Sequence, residues 1–149
     1  MFLVRLATVL ACMFGASQAH AVETTLTEST SSYEIVNAFM KYIQESVENR
    51  HIDEEDLRQL FSEDFLMIVN GTVVAEGIDG LITRFDSHFA LPNEVSFQPI
   101  HSLVTSQGFV CQYDIIRPGL GISHVMGIFT VEEGRIRSMD AVVHRTPLD

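Results

Sequence analysis

The sequence predicts an α+β fold in which a cone-shaped, strongly curved antiparallel sheet of about six strands wraps over three helices. Asn70-Gly71 lies between two apolar runs, which is the pattern of a two-residue β-hairpin turn with positive φ at both central positions. A helical pattern of apolar residues precedes this hairpin, and another follows it. Strand-like runs then continue to the C-terminus, and this order favours a curved sheet with a pocket at its open end.

Start and stop signals in the sequence predict three helices. Ser31-Ser-Tyr-Glu34 has the spacing of a capping box, and the apolar residues behind it recur every three or four positions, which predicts an amphipathic first helix. The acidic cluster at residues 53–56 indicates the start of a shorter second helix, because negative charge there complements the helix dipole. A third helix is predicted from Gly77 to about Ala90, where Leu91-Pro92-Asn93 ends it.

Runs rich in β-branched and aromatic residues set the strands. The hairpin pairs residues 65–69 with residues 72–75. Glycine and proline breaks then separate four long strands, at residues 95–105, 109–116, 122–131 and 135–144. No internal repeat or linker interrupts this order, so the sequence predicts one domain.

The first 21 residues have the pattern of a cleaved signal peptide. A basic start with Arg5 precedes an apolar stretch at residues 6–14, and Ala19 and Ala21 form an Ala-x-Ala cleavage site. The apolar stretch is shorter than the roughly 20 residues that a membrane span needs. We therefore expect no membrane contact beyond the signal peptide.

Domain organisation follows from that cleavage. Residues 22–31 are polar and lack periodicity, which predicts a flexible leader, and residues 32–149 are expected to form a single domain. The mature protein is expected to be exported, either to the periplasm or into the medium. The alternative is lipoprotein cleavage at Cys12, which would tether the domain to a membrane by lipid.

The composition argues against several kinds of partner and site. The formal net charge is −11, so we expect no binding to nucleic acid, which requires clustered Lys and Arg. Cys111, the one cysteine left after cleavage at Ala21, lies in an apolar run and is expected to be a buried hydrophobe. No His-x-x-x-His, paired cysteines or glycine-rich phosphate loop occurs, so we expect no metal site and no cofactor.

Three motifs resemble the nuclear transport factor 2-like superfamily and its SnoaL-like branch. They are Leu57-Arg-Gln-Leu-Phe-Ser-Glu-Asp-Phe65 at the first strand, Glu76-Gly-Ile-Asp-Gly-Leu81 at the third helix, and Glu133-Gly-Arg-Ile136 at the last turn. Together with the order of the elements, they cover nearly the whole predicted domain. Polyketide cyclases, ketosteroid isomerases, dehydratases and non-catalytic binding domains share this fold, so the resemblance leaves the activity open.

The resemblance implies that the inner face of the cone lines a pocket, and alternation along each strand decides which side chains point there. The register of the family gives the inward residues as Cys111, Tyr113, Ile115, His124, Met126, Ile128, Met139, Ala141 and Val143. Apolar walls with a few polar groups are typical of small-molecule sites. The residues expected to bind a ligand are Tyr42, Met67, Phe85, Phe89, Phe97, His101, Tyr113, Met126 and Met139, and His124 is a further polar candidate.

Two catalytic interpretations follow from the resemblance. A ketosteroid-isomerase-like site has a carboxylate base and a second acid, but Val69 and Met126 occupy the corresponding positions of this sequence. Of the three diagnostic groups, only Tyr42 is retained. In a cyclase-like site, His124 and Asp140 would form an acid/base pair on the last two strands. The expected register places Asp140 on the face opposite to His124, so this pair requires a bulge. The alternative is a hydrogen-bonded pocket histidine and a solvent-facing or dimer-face aspartate.

Three functions therefore compete. The leading interpretation is an exported domain that binds a small apolar or aromatic molecule in the cone pocket. The second is a cyclase-, isomerase- or dehydratase-type enzyme that uses His124 with Asp140 or Tyr42. The third is a non-catalytic interaction module with a filled cone. A cavity of at least about 300 Å³ would argue against this third interpretation. All three allow a homodimer through the outer sheet face, where the small or apolar residues expected are Val125, Gly127 and Val142.

Overall fold

The structure, a computed structural model, describes residues 32–90 and 94–147. The predicted signal peptide with Cys12, the predicted leader and the helix-ending turn at residues 91–93 lie outside the described residues. Within the described ranges, no helix combines the length and the apolar character that a membrane crossing requires.

Helices occur where the helical signals predict them. They are α1 at residues 32–49, α2 at Glu54–Leu60 and α3 at Gly77–Phe89. Asp53 caps α2, because its carboxylate accepts hydrogen bonds from the backbone N–H groups of Glu55 and Asp56 at 3.0 and 3.1 Å. This cap satisfies two of the N–H groups that a helix start leaves unpaired, so the acidic cluster is structural.

The hairpin and the four long strands are present as well. The strands are β1 at Phe61–Val69, β2 at Thr72–Glu76, β3 at Ser96–Thr105, β4 at Gly108–Arg117, β5 at Gly121–Glu132 and β6 at Arg135–Thr146. The β1–β2 turn has φ of 50° at Asn70 and 76° at Gly71, as a type I′ turn requires. Asn70 is also fixed to β6, since its side chain exchanges two hydrogen bonds with the backbone of Val143, at 2.9 and 3.1 Å.

The six strands form one sheet in the order β2-β1-β6-β5-β4-β3. Strands β3 to β6 form an antiparallel meander, and β1 pairs with β2 in the same way. The sequence predicts antiparallel pairing throughout, and this is wrong for one pair of strands. Strands β1 and β6 pair in parallel, so the sheet is mixed. The cause is α3, which carries the chain from β2 at one edge to β3 at the other, so that the meander returns to β1.

The inner face of the sheet, which packs against the helices, carries the aromatic core. The Phe39 ring of α1 lies 4.6 Å from the Phe129 ring of β5 and 5.8 Å from the Phe109 ring of β4. Phe109 and Phe129 are stacked at 4.5 Å, and all three rings are buried. These rings fill one end of the cone, which we call the closed end.

The predicted register of β5 is wrong by one residue. Val125 and Phe129 are buried, whereas Met126 and Ile128 are 51% and 55% exposed. His124, Met126 and Ile128 therefore lie on the outer face of the sheet. Strand β5 carries apolar side chains on both faces, so alternation of hydrophobicity does not decide between the two registers.

Gly127 shows why this register is preferred. A Cβ atom at Gly127 would lie 2.8 Å from Cε2 of Phe129 and 3.1 Å from Cε of Met139, so the core occupies the space above this residue. The expectation that Val125 and Gly127 lie on the outer face is therefore also wrong. Val142 of β6 does lie there, 58% exposed.

Candidate functional site

An apolar cavity of about 110 Å³ lies between α1, α3 and the inner face of the sheet. Its buried end is lined by Phe39, Phe61, Phe65, Leu81, Tyr113 and Met139. Its other end is lined by half-buried residues, among them Phe89, Phe97 and Arg117, and we call this the open end. The cavity thus lies beyond the aromatic core, on the side of the cone where α3 and β4 end.

Six of the residues expected to bind a ligand line this cavity: Met67, Phe85, Phe89, Phe97, Tyr113 and Met139. Phe85 and Phe89 are four positions apart on α3, so both project from one helix face, and their rings are stacked at 6.3 Å. Phe97 and Tyr113 lie on adjacent strands with ring centroids 5.0 Å apart. Helical and strand periodicity therefore brings these aromatic rings together.

Three polar residues at the open end are not among those that the sequence predicts for the pocket. They are Arg84 and His88 on α3 and Arg117 at the end of β4. A signal for each was present, because Arg84 and His88 continue the helix stripe of Leu81, and Arg117 continues the inward alternation of Tyr113. Arginine side chains are seldom buried without a partner, so periodicity alone does not predict them in a cavity wall.

Arg117 and His88 form the contact that defines the open end. Nη2 of Arg117 lies 3.0 Å from Nδ1 of His88. A guanidinium group only donates, so Nδ1 accepts and the imidazole proton resides on Nε2. Burial, together with the positive charges of Arg84, Arg117 and Arg145, lowers the pKa of His88 to about 4. His88 is therefore neutral at neutral pH.

The arginines at the open end have no acidic partner among the described residues. None of the ion pairs formed within residues 32–90 and 94–147 involves Arg84, Arg117 or Arg145. The Nε atoms of Arg84 and Arg117 are buried and have no hydrogen-bond partner in this part of the chain. Burial, together with the charges of Arg145 and Arg84, lowers the pKa of Arg117.

No Asp or Glu of the described residues lines the cavity. The other polar group on its wall is Tyr113, whose hydroxyl forms no hydrogen bond with a described residue and whose pKa is raised by burial. The described residues also contain no cluster of three or more His, Cys, Asp or Glu side chains arranged to hold a metal ion. The chemistry of the wall is therefore apolar, with basic groups at one end.

Tyr42 does not reach the cavity, contrary to expectation. The cavity face of α1 presents Phe39, Ile43 and Val47, and Tyr42 projects from a different side, towards α2. Its hydroxyl donates a hydrogen bond of 3.1 Å to the carbonyl of Asp53, and burial raises the pKa of Tyr42 to about 12. Tyr42 therefore connects α1 to the start of α2.

His101 and Met126 also lie away from the cavity. A bulge between Pro99 and His101 shifts the register of β3, and His101 is exposed. Met126 is on the outer face because of the β5 register described above. The position of His101 depends on a bulge, and that of Met126 on a strand with apolar side chains on both faces. The alternation of side chains along the sequence reveals neither.

The proposed pair of His124 and Asp140 does not form. Both residues lie on the outer face, but His124 is opposite His144 and Asp140 is opposite Ile128 in the β5–β6 register. Four strand positions separate them, or about 13 Å. His124 has other partners, since its Nδ1 lies 2.8 Å from Oδ1 of Asp114 and its Nε2 lies 3.1 Å from Oγ1 of Thr146.

Comparison with known proteins identifies the fold. No protein-family model and no curated protein matches the sequence. Among solved structures, a candidate polyketide cyclase from Sinorhizobium meliloti has a TM-score of 0.57 at 17% identity, over 72% of this chain and 93% of that chain. An NTF2-like protein of unknown function from Mesorhizobium loti has a TM-score of 0.62 at 15% identity, over 78% and 93%. A candidate ketosteroid isomerase from Kribbella flavida has a TM-score of 0.62 at 10% identity, over 82% and 84%.

Likenesses at these identities show the fold alone. The chain has the nuclear transport factor 2-like fold, which confirms the resemblance seen in its motifs and the predicted α+β class. Solved structures with this fold include one described as a candidate polyketide cyclase and one described as a candidate ketosteroid isomerase, so the fold is one that supports ligand binding or catalysis.

Proposed function

We propose that this protein binds one small apolar or aromatic molecule in the cavity at the open end of the cone. The observation that carries the proposal is the apolar wall, in which Met67, Phe85, Phe97, Tyr113 and Met139 face one space. Burial of apolar surface is the main source of affinity in such a site. The fold neighbours support the proposal, because a candidate polyketide cyclase and a candidate ketosteroid isomerase share this architecture.

The size of the cavity limits the ligand. At about 110 Å³ it is below the roughly 300 Å³ at which small-molecule sites usually begin, so the cone is partly filled. An apolar cavity on the order of 150 Å³ can hold benzene, which makes a single ring or a short chain the appropriate ligand size. Met67 and Met139 can change rotamer and enlarge the space for a somewhat longer molecule.

The composition of the wall favours binding over turnover. Abstraction of a proton from carbon needs a base with a pKa near the working pH, and the cavity wall offers no carboxylate among the described residues. His88 is a weak base there, because its pKa is lowered to about 4 and its Nδ1 accepts from Arg117. An enzyme at this site would have to use His88 and Tyr113 rather than His124, Asp140 or Tyr42.

A pair of tryptophan variants tests the proposal. Ile115→Trp places an indole in the cavity wall, and Leu103→Trp places the same group on β3, where Leu103 is 60% exposed. Native mass spectrometry of the protein purified from its own compartment should show a small co-purifying molecule on the wild type and on Leu103→Trp. Ile115→Trp should lose at least about 90% of it, as expected when the cavity is filled. Equal retention by all three proteins would overturn the proposal.

We further propose that the domain is exported and forms a homodimer through its outer sheet face. The N-terminal signal pattern supports export, and a mass of the mature protein that still includes residues 1–21 would contradict it. The exposed Met126, Ile128 and Val142 support the dimer, since they present apolar area on the face opposite to the cavity. Sedimentation velocity should give the mass of two chains, and a monomer at micromolar concentration would reject the dimer.

A further inference from the structure

The open end of the cavity combines an apolar wall with an excess of positive charge. Arg84 and His88 lie one helix turn apart on α3, and Arg117 contacts His88 at 3.0 Å. A second depression, of about 250 Å³, shares His88 and Arg117 with the apolar cavity and is lined in addition by Arg145. The His88–Arg117 pair thus stands at the boundary between the apolar space and a more polar one.

The arginines here differ from others in the same chain. Arg58 pairs with Glu63 and Asp79, and Arg137 pairs with Asp64 and Glu132. The chain has 20 acidic and nine basic residues, so acidic partners are plentiful. Nevertheless, Arg84, Arg117 and Arg145 form no ion pair within the described ranges.

This arrangement is costly unless something else supplies the negative charge. The buried Nε atoms of Arg84 and Arg117 lack hydrogen-bond partners among the described residues, and a buried donor without a partner costs free energy. Burial and mutual repulsion also lower the pKa of Arg117, which shows that the cationic form is destabilised. A negatively charged ligand would remove both costs at once.

We propose that the ligand of the cavity is a small organic acid, with its ring or short chain among the phenylalanines and its carboxylate on Arg117 and Arg84. The inference rests on the proposed function, because it assigns a head group to the same ligand. A guanidinium fork matches a carboxylate in geometry and can donate two parallel hydrogen bonds to it. The Nε2–H group of neutral His88 is available as a further donor.

The test compares a carboxylate with its neutral isostere. Isothermal titration at pH 7 uses 3-phenylpropionate and 3-phenylpropanamide, which share a single ring and a short chain. Charge-assisted hydrogen bonds predict that the wild-type protein binds the carboxylate about 10- to 100-fold more tightly than the amide. In Arg117→Met, which keeps the apolar stem and loses the charge, the two probes should bind with similar affinity.

Control variants separate the outcomes. Arg135→Met removes an exposed arginine at the β5–β6 turn and should retain the preference for the carboxylate. Arg84→Met serves as the second test if Arg117→Met fails to fold, as judged by thermal unfolding. Equal binding of both probes by the wild type would overturn the organic-acid inference and leave the proposed function standing. Binding of neither probe would count against the proposed function itself, and a preference that survives both Arg117→Met and Arg84→Met would reject the arginine assignment.

Discussion

At the scale of single residues, the charge at the open end is fixed by arginines rather than by histidine. Among the described residues of the cavity wall, His88 is the one whose ordinary pKa lies near neutrality, and its environment lowers that pKa to about 4. Protonation would place a further positive charge beside Arg84 and Arg117 and would disrupt the hydrogen bond from Arg117 to Nδ1. The positive charge at this end is therefore the same throughout the neutral range.

The lowered pKa of His88 predicts a pH dependence of stability. Because the folded-state pKa, about 4, is below the ordinary value of 6.5, the unfolded chain binds the proton first as the pH falls. The stability that neutral His88 provides is fully present above pH 6.5 and decreases progressively towards pH 4. His88→Gln keeps an acceptor for Arg117 and does not titrate, so its Tm should fall less over this interval than that of the wild type.

Thermal unfolding across that pH range checks the expectation. The exposed His101, replaced by Gln, provides the matched control and should follow the wild-type curve. If His88→Gln and the wild type lose Tm in parallel between pH 6.5 and 4, the environment assigned to His88 is wrong.

At the scale of elements, strand β5 shows how one glycine specifies a register. Gly127 faces the core, where the Phe129 and Met139 side chains occupy the space that a Cβ atom would need. Phe129 is held in turn by its stacking on Phe109, so it has little freedom to move aside. The packing of three residues thus decides which face His124 and Met126 occupy.

A pair of glycine variants tests this register. Gly127→Ala should destabilise the protein by about 1–3 kcal/mol, because it overpacks the core. Gly80→Ala, in the interior of α3, meets nothing closer than 3.7 Å and should stabilise the protein by about 0.5–1 kcal/mol through helix propensity. Both free energies of unfolding can be measured in urea. A neutral or stabilising Gly127→Ala would place residue 127 on the outer face and reverse β5.

Local sequence signals predict the helices and strands well, but they predict less well which side chains of a strand face the core. Asn70-Gly71 and the helix signals act over a few residues, so the hairpin and three helices could be derived from the sequence. The side chains of β5 that face the core could not be derived from the sequence, because apolar residues occupy both faces: Val125, Met126, Ile128 and Phe129. Packing against the neighbouring strands decides which of them face the core. For the same reason the sequence predicts His124 in the pocket, whereas the structure shows it in contact with Asp114 on the outer face.

At the scale of the whole molecule, the cone has an aromatic closed end, an apolar cavity beyond it and a basic open end. The apolar walls were predictable from periodicity, since residues such as Phe85 and Phe89 recur at helical spacing. The basic end was not predictable, because Arg84 and Arg117 are distant in sequence and reach the same cavity wall only when α3 folds over the sheet. The outer face, with Met126 and Val142 exposed, lies on the opposite side, so the proposed dimer would leave the open end accessible to the proposed ligand.

The most direct test of ligand binding in this cavity uses the methyl groups of methionine. Met67 and Met139 line the cavity, and Met126 is 51% exposed on the outer face, so the protein contains its own internal control. In protein labelled with ¹³C at the methionine methyl groups, titration with 3-phenylpropionate should shift the Met67 and Met139 resonances and leave Met126 unchanged. A titration that shifts Met126 alone, or shifts none of the three, would contradict binding in the cone.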